Sequence, residues 1–367
     1  MILFLNFAPI EFMGGAEKWM NDTAKMVDKK EKTILISVNP SIANIYGQIV
    51  LKRKYDRRAK NSDIHNHTSL TLESFIPFTK RWNDARKEFS NARLIYARYE
   101  ILELSIILYF LGFKGLKKTI AGIHSPFIYG DPISFLNNFH NAVYKSNINL
   151  NFLKKMKKVH VLNIRDENYF KKNNLKNVVY VPNGIDAPKN TINKMKTDKK
   201  TLYVISVGEL SKRKGTDILI EIIKNAPSSI QFTIAGDGYM KKDIIELVKN
   251  SSNVKYVGHV KKYELEKLYE NSDVLIIPSR AESMSLTVLE ALSHGLTIVN
   301  SNYIRMNLDN NIEYSNKNSN EYLNSLSQIS KIKLKNKLDK TMIANYFNRN
   351  YTKEHIYPIL NTKLFNT

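Results

Sequence analysis

Cysteine is absent from this 367-residue chain, which excludes a disulfide framework, a thiolate nucleophile and any cysteine-built metal site. An apolar run long enough to cross a bilayer is also missing. The longest, Ile101–Phe113, falls short of the roughly 20 residues a spanning helix needs and is interrupted by Glu103. It reads as a buried helix, with an in-plane membrane contact as the alternative because Lys114, Lys117 and Lys118 follow at once. Acidic residues are scarce: 34 Asp and Glu against 56 Lys and Arg give a formal charge of +22. Such a charge attracts polyanions, whether nucleic acid, anionic headgroups or diphosphate ligands. No recognition helix, aromatic RNA-binding box or zinc spacing accompanies it, so specific nucleic-acid binding is not expected. No fixed-period repeat or long low-complexity tract occurs either.

What is present is a globular composition, 43% hydrophobic with 10% aromatics, in a chain long enough for two domains. Met1 leads directly into Ile-Leu-Phe-Leu without a basic leader, so this start reads as a strand and the expected location is cytoplasmic. Strand-like and helix-like segments then alternate, the mark of α/β architecture with parallel sheets. Strands are predicted at 2–7, 33–38, 94–97, 119–123, 159–163 and 178–181, and positions 48–93 resist parsing. Pro182-Asn183-Gly184-Ile185-Asp186 breaks the pattern with turn chemistry, Asn183-Gly184 offering positive φ for a tight reversal, and 187–200 reads as a linker. Alternation restarts at Thr201. The expected architecture is two Rossmann-like domains, 1–182 and 201–344, separated by a hinge and linker at 183–200. In such sheets ligands bind beyond the strand C-termini, here the cleft between the domains.

The segment Asp273–Gly295 carries the most chemistry. A buried strand at Val274–Ile277 stops at Pro278, a polar loop follows, and a helix from about Ser285 to His294 ends at Gly295. Glu282 lies in the loop and Glu290 in the helix. Helical side chains lean toward the helix N-terminus, so Glu290 points back at the loop. The amides of Ser283, Met284, Ser285 and Leu286 sit at the positive end of the helix dipole. Carboxylates for sugar hydroxyls beside amides for phosphate oxygens suit a nucleotide diphosphate sugar.

This frame, P-S-x-x-E-S-x-x-L-x-x-L-E-A-x-x-x-G, resembles the donor site of retaining GT-B glycosyltransferases of the family 4 (group 1) type. The resemblance extends along the chain. Gly14-Gly15-Ala16-Glu17 is similar to the acceptor-side or phosphate loop of that family, and His124 follows a strand where the family places a histidine near the transferred sugar. Val181-Pro182-Asn183-Gly184-Ile185-Asp186 resembles its hinge. Gly208 to Gly215 resembles the pyrophosphate loop, with Lys214 matching the family lysine. Glu209 stands where many members have arginine, which leaves Arg213 as the candidate second cation. Ala235-Gly236-Asp237-Gly238 resembles an architectural turn, and Gly258-His259 the loop whose backbone contacts the nucleotide base. Residues 345–367 resemble the final helix that returns to the first domain.

The resemblance implies a GT-B fold, two Rossmann-like domains facing across a cleft, and transfer of a sugar from a nucleotide sugar to an acceptor hydroxyl. It implies Glu282 on the sugar, Glu290 on the ribose and His124 near the reacting carbon. The acceptor is open among a saccharide, a lipid-linked and a protein-linked glycan, and so is peripheral contact with an anionic membrane. No Asp-x-Asp pair occurs, which argues against the metal-dependent GT-A plan, so no metal or other cofactor is expected. His65 and His67 could chelate on a strand but lack a third ligand of obvious spacing. Departures from the family pattern are Ser283 and Ser285 in place of two glycines, and 300–311 without glycine. The +22 charge and the altered Glu209 and Ser283–Ser285 positions keep a second reading open: a GT-B-fold polyanion-binding or scaffold protein without turnover.

Overall fold

The structure is a computed structural model, and it describes residues 1–6, 15–38, 67–188, 200–304, 306, 308–309 and 311–366. Gly14, His65 and the linker 189–199 lie outside the described residues. Chain contacts divide into two units. One comprises Met1–Ser125, Lys145–Pro182 and Tyr357–Thr367, the other Pro126–Tyr144 and Asn183–Ile356.

In the first unit, strands β1 (Ile2–Leu5), β2 (Thr33–Val38), β3 (His67–Leu70), β4 (Leu94–Arg98), β5 (Thr119–Ile123), β6 (Lys158–Val161) and β7 (Val178–Tyr180) form one parallel sheet, ordered β3-β2-β1-β4-β5-β6-β7. Helices α1 (Gly15–Asp28), α2 (Lys80–Asn91) and α3 (Ile101–Leu111) connect successive strands. The apolar runs become strands because a sheet covered on both faces buries every side chain, as β1 does. The longest apolar run forms α3, which buries Ile106, Ile107 and Phe110 and leaves Ile101 and Tyr109 exposed. Among the described residues no helix is long and apolar enough to cross a membrane.

After β5 the chain forms α4 (Phe135–Lys145) and α5 (Asn147–Lys154), and α6 (Ile164–Lys172) joins β6 to β7. Residues 126–144 were expected with the first domain but group with the second unit. Asp131 is ion-paired to Arg280, and Gly130 lies so close to Tyr303 that an added Cβ would meet its ring at 2.2 Å.

The second unit repeats the plan. Strands β8 (Leu202–Val207), β9 (Ile230–Ala235), β10 (Val254–Gly258), β11 (Val274–Ile277), β12 (Thr297–Ser301) and β13 (Glu313–Asn316) form a parallel sheet ordered β10-β9-β8-β11-β12-β13. Helices α7 (Thr216–Asn225), α8 (Lys241–Asn250), α9 (Lys262–Glu270), α10 (Leu286–Ser293), α11 (Ser319–Leu334), α12 (Lys340–Asn350) and α13 (Lys353–Leu360) complete the chain. Strand order reverses between β8 and β11, the switch point where open α/β sheets bind ligands beyond the strand C-termini.

Two expectations need correction. Neither Asn183 nor Gly184 has positive φ. This stretch instead runs beside 351–353: Ile185 donates to the Tyr351 carbonyl at 3.0 Å and its carbonyl accepts from Lys353 N at 3.0 Å. Gly184 is needed for room, since a Cβ there would sit 3.0 Å from that of Ile356. The return to the first unit begins at Tyr357, not 345, because α12 buries Ile343 and Phe347 in the second unit's core with Leu289 and Leu292. Beyond it, Phe365 packs on Phe4 and Tyr96, and its carbonyl accepts from Arg93.

Candidate functional site

The loop after β8 is built by close backbone approach. Gly208 N donates to Ala235 O at 3.0 Å and Leu210 N to Asp237 O at 2.9 Å, binding this turn to the one after β9. Gly215 has φ +73°, and a Cβ there would fall 2.0 Å from the Pro278 carbonyl oxygen. Glycine therefore lets the end of this loop touch the end of β11. A pocket opens at the switch point, lined by residues that include Gly208, Glu209, Lys214, Pro278, Ser279 and Ser285.

The charges converge here. Lys214 Nζ makes a direct ion pair with Glu282 Oε1, and Arg213 Nη1 lies 4.0 Å from the same oxygen. Arg213 Nη2 donates to Glu209 Oε2 at 3.0 Å, so the Glu209 carboxylate holds the Arg213 guanidinium. Ser285 is the N-cap of α10, with Ser283 and Ser285 both buried, while Met284 and Leu286 pack partly against the second unit's core. Met284 Sδ also accepts from Asn183 N at 3.1 Å. On α10, Glu290 accepts from Tyr269 Oη at 3.2 Å; burial, then the nearby Glu290 charge, push that phenol well above its ordinary range. Of the predicted donor-site residues only Gly208, Lys214 and Ser285 line the pocket; Glu282, Arg213 and Glu290 do not, nor does the exposed His259, which follows Gly258 at φ +70°.

Sequence reasoning missed Arg280. Its guanidinium forks onto Asp217 at 2.7 and 2.8 Å, reaches Asp131 at 2.8 Å, and donates to the Lys212 carbonyl at 2.6 Å. Its backbone N–H donates to Arg213 O at 2.9 Å. Arg280 thus straps the cationic loop to the segment that carries Glu282. Burial pushes the Asp217 carboxyl up, but the hydrogen bond and charge of Arg280 outweigh it and hold the group below its usual range. Glu313 was also missed. Buried, it accepts from Met306 N at 2.6 Å, Leu308 N at 2.9 Å and Asn300 Nδ2 at 2.6 Å, and so braces the glycine-free stretch after β12. Arg280 leaves no spacing signal because Asp217 and Asp131 are remote in sequence, and Glu313 leaves none because two of its three partners are backbone amides, which any residue supplies.

In the first unit Gly15 opens α1, and Glu17 in its first turn pairs with Arg98 at 2.8 Å. His124, directly after β5, is half-buried, and its Nε2 lies 2.9 Å from Tyr96 Oη. Burial, then the neighbouring His160 and Arg98, hold its pKa well below the ordinary histidine value.

The fold is GT-B: the UDP complex of Anabaena HepE superposes over 100% of both chains with a TM-score of 0.73 at 16% identity. Residues 189–345 match the family model of glycosyl transferases group 1, so the chain carries a domain of that type. A Klebsiella pneumoniae protein described as an uncharacterized 41.2 kDa protein in the cps region is 35% identical over 111 residues, 30% of each chain. The Escherichia coli O-antigen biosynthesis glycosyltransferase WclY is 32% identical over 137 residues, 35% of this chain and 37% of its own. The chain therefore matches 30% of the length of the first relative and 37% of the second.

Proposed function

We propose that the chain is a retaining, metal-independent glycosyltransferase that moves a sugar from a nucleotide diphosphate sugar to an acceptor hydroxyl. The convergence of Lys214 and Arg213 on Glu282, beside a pocket at the sheet's switch point and within the matched domain, carries this reading. On it, Lys214 and Arg213 neutralise the departing diphosphate together with the amides at the start of α10. Those fixed charges take over the work that a divalent cation does in metal-dependent transferases. Glu282 orients the sugar, Glu290 the ribose, and His124 serves the transferred sugar as a hydrogen-bonding group. The leaving diphosphate helps deprotonate the incoming hydroxyl, so the protein's part is positioning and charge stabilisation. HepE was captured with UDP-glucose, and the name of WclY points to O-antigen, which supports a nucleotide-sugar donor and a saccharide acceptor, lipid-linked or otherwise. The reading places the enzyme in the cytoplasm, with its +22 charge suited to a peripheral contact with anionic lipid.

The test is a thermal-shift panel of UDP-, GDP-, ADP- and CMP-sugars in EDTA, with pyrophosphate as polyanion control and Glu290→Ala alongside. A ligand at a hundred times its Kd adds about 2.7 kcal/mol to the folded state. One nucleotide class stabilising beyond pyrophosphate, with the gain lost in Glu290→Ala, is expected. Equal shifts from every polyanion, unchanged in the variant, would instead favour a polyanion-binding scaffold.

A further inference from the structure

Three side chains on adjacent strands of the first sheet form a hydrogen-bonded row ending at His124. His160 on β6 places Nε2 2.9 Å from the Val181 carbonyl and Nδ1 2.6 Å from Tyr96 Oη, and Tyr96 on β4 reaches His124 Nε2 at 2.9 Å. We propose that Tyr96 and His160 are positioning residues that lock His124 in its Nε2-protonated form, which makes Nδ1 the lone-pair side of the ring. The role of His124 in substrate binding rests on the transferase reading; the lock itself does not.

The polarity of the row follows from its inner end. A carbonyl oxygen only accepts, so His160 Nε2 must carry a proton. Burial pulls the His160 pKa down to about 4, so the ring is neutral at pH 7 and Nδ1 holds a lone pair. Tyr96 has one proton and burial keeps it on the phenol, so it donates into that lone pair. Its oxygen can then only accept, and His124 Nε2 supplies the hydrogen. The reverse order would aim the His160 Nε2 lone pair at the Val181 oxygen, two acceptors face to face. A neutral ring protonated at Nε2 has Nδ1 as its acceptor nitrogen.

The surroundings are shaped to this row. Trp19 packs over all three rings, with centroids 4.5 Å from His124, 5.1 Å from Tyr96 and 5.6 Å from His160. Phe4 stacks on Tyr96 at 5.5 Å. Gly122 on β5 makes room for the hydroxyl, since a Cβ there would lie 2.3 Å from Tyr96 Oη. Arg98, the charged group that acts on His124 beside His160, is itself tied to Glu17, Glu100 and Ser125.

The experiment is a long-range ¹H–¹⁵N imidazole spectrum of the ligand-free protein, with the His124 signals assigned by their loss in His124→Gln. A single Nε2–H tautomer for His124 is expected in the wild type, and this measurement leaves Tyr96 and His160 unaltered. Tyr96→Phe keeps the ring packing and removes the hydroxyl, so His124 should become a mixture of tautomers. His160→Asn keeps an acceptor oxygen for Tyr96, so the Nε2–H form should persist. An Nδ1–H tautomer in the wild type, an unchanged signal in Tyr96→Phe, or a mixture in His160→Asn would overturn the proposal. Because no substrate is present, a failure of the transferase reading would leave this result standing.

Discussion

Replacing Arg280 by alanine should loosen the cationic loop before any ligand arrives. The side chain donates two fork hydrogen bonds to Asp217, one to Asp131 and one to the Lys212 carbonyl. A charge-assisted hydrogen bond contributes about 1.5–3 kcal/mol when shielded. Asp217 and Asp131 are 35% and 43% exposed, so solvent screening discounts the sum heavily. We expect a net loss of about 2 kcal/mol, or roughly 4–8 °C in Tm for a unit of this size. Urea melts and isothermal titration with pyrophosphate would measure both consequences, lower stability and weaker anion binding as Lys214 loses its fixed position. Arg280→Lys restores the charge but not the fork and should fall between. The pH dependence has a fixed sign. Asp217 has a depressed folded pKa, so its contribution is complete above the unfolded value of about 3.9 and is lost as pH falls through the folded value. The gap between wild type and Arg280→Ala should therefore be full at pH 7 and shrink below about pH 4. A variant with unchanged melting and unchanged anion affinity would refute the strap.

Three other perturbations follow from the same packing. Gly215→Ala should cost at least the 1–2 kcal/mol of a left-handed residue, because its Cβ would also meet the Pro278 oxygen at 2.0 Å; a urea midpoint equal to wild type would contradict that close approach. Asp273, 2% exposed, holds Lys333 Nζ at 2.6 Å and Tyr203 N at 3.0 Å, so Asp273→Ala should cost about 3–5 kcal/mol by stranding a buried ammonium. Asp273→Leu with Lys333→Met removes both charges and should recover most of that loss in the same denaturant melts. Glu31 is drawn down to about 2, against the opposing effect of burial, mainly by its hydrogen bond from Arg93 and also by the N-terminal ammonium. Its stabilisation should be complete above the unfolded carboxylate value and disappear as pH falls toward 2, so Glu31→Gln should flatten the acid limb of a Tm-versus-pH curve.

The second unit was the more legible in the sequence, because its apolar runs are bounded by glycines and prolines whose reasons are local. Gly208, Gly215, Gly236 and Gly295 all take positive φ, and all were readable as turn or cap positions. Gly184 was misread because a glycine announces only that a Cβ is excluded. Here the excluding neighbour is Ile356, remote in sequence, and the backbone has no positive φ. Residues 126–144 were misassigned for a similar reason, since α4 has an apolar stripe of Phe135, Leu136, Phe139 and Val143 that is exposed, and a periodicity does not say which sheet, if either, it packs on. At the site, Lys214 and Glu282 sit in local frames and could be found from them. Arg280, Asp217 and the pair Tyr96–His160 act through partners dozens of residues away, and such pairs write no period into a sequence.

The ion pair between Lys214 and Glu282 joins the two roles assigned to that site. On the proposed function, the cation that serves phosphate and the carboxylate that serves the sugar are in contact, so each occupies what the other's ligand needs. On that reading an entering diphosphate draws Lys214 off Glu282, and the same exchange turns the carboxylate toward sugar hydroxyls. Glu282→Gln separates these effects. Without the competing charge, Lys214 should bind a nucleoside diphosphate more tightly, and for a pair 24% and 12% exposed the released interaction is about 1 kcal/mol, or roughly fivefold in Kd. The full nucleotide sugar should gain less or lose affinity, because the amide is a poorer acceptor than the carboxylate. Titrating both ligands into both proteins reads the difference directly. Equal weakening of the two ligands in Glu282→Gln would show that the carboxylate only holds Lys214 in place, and the exchange would have to be abandoned.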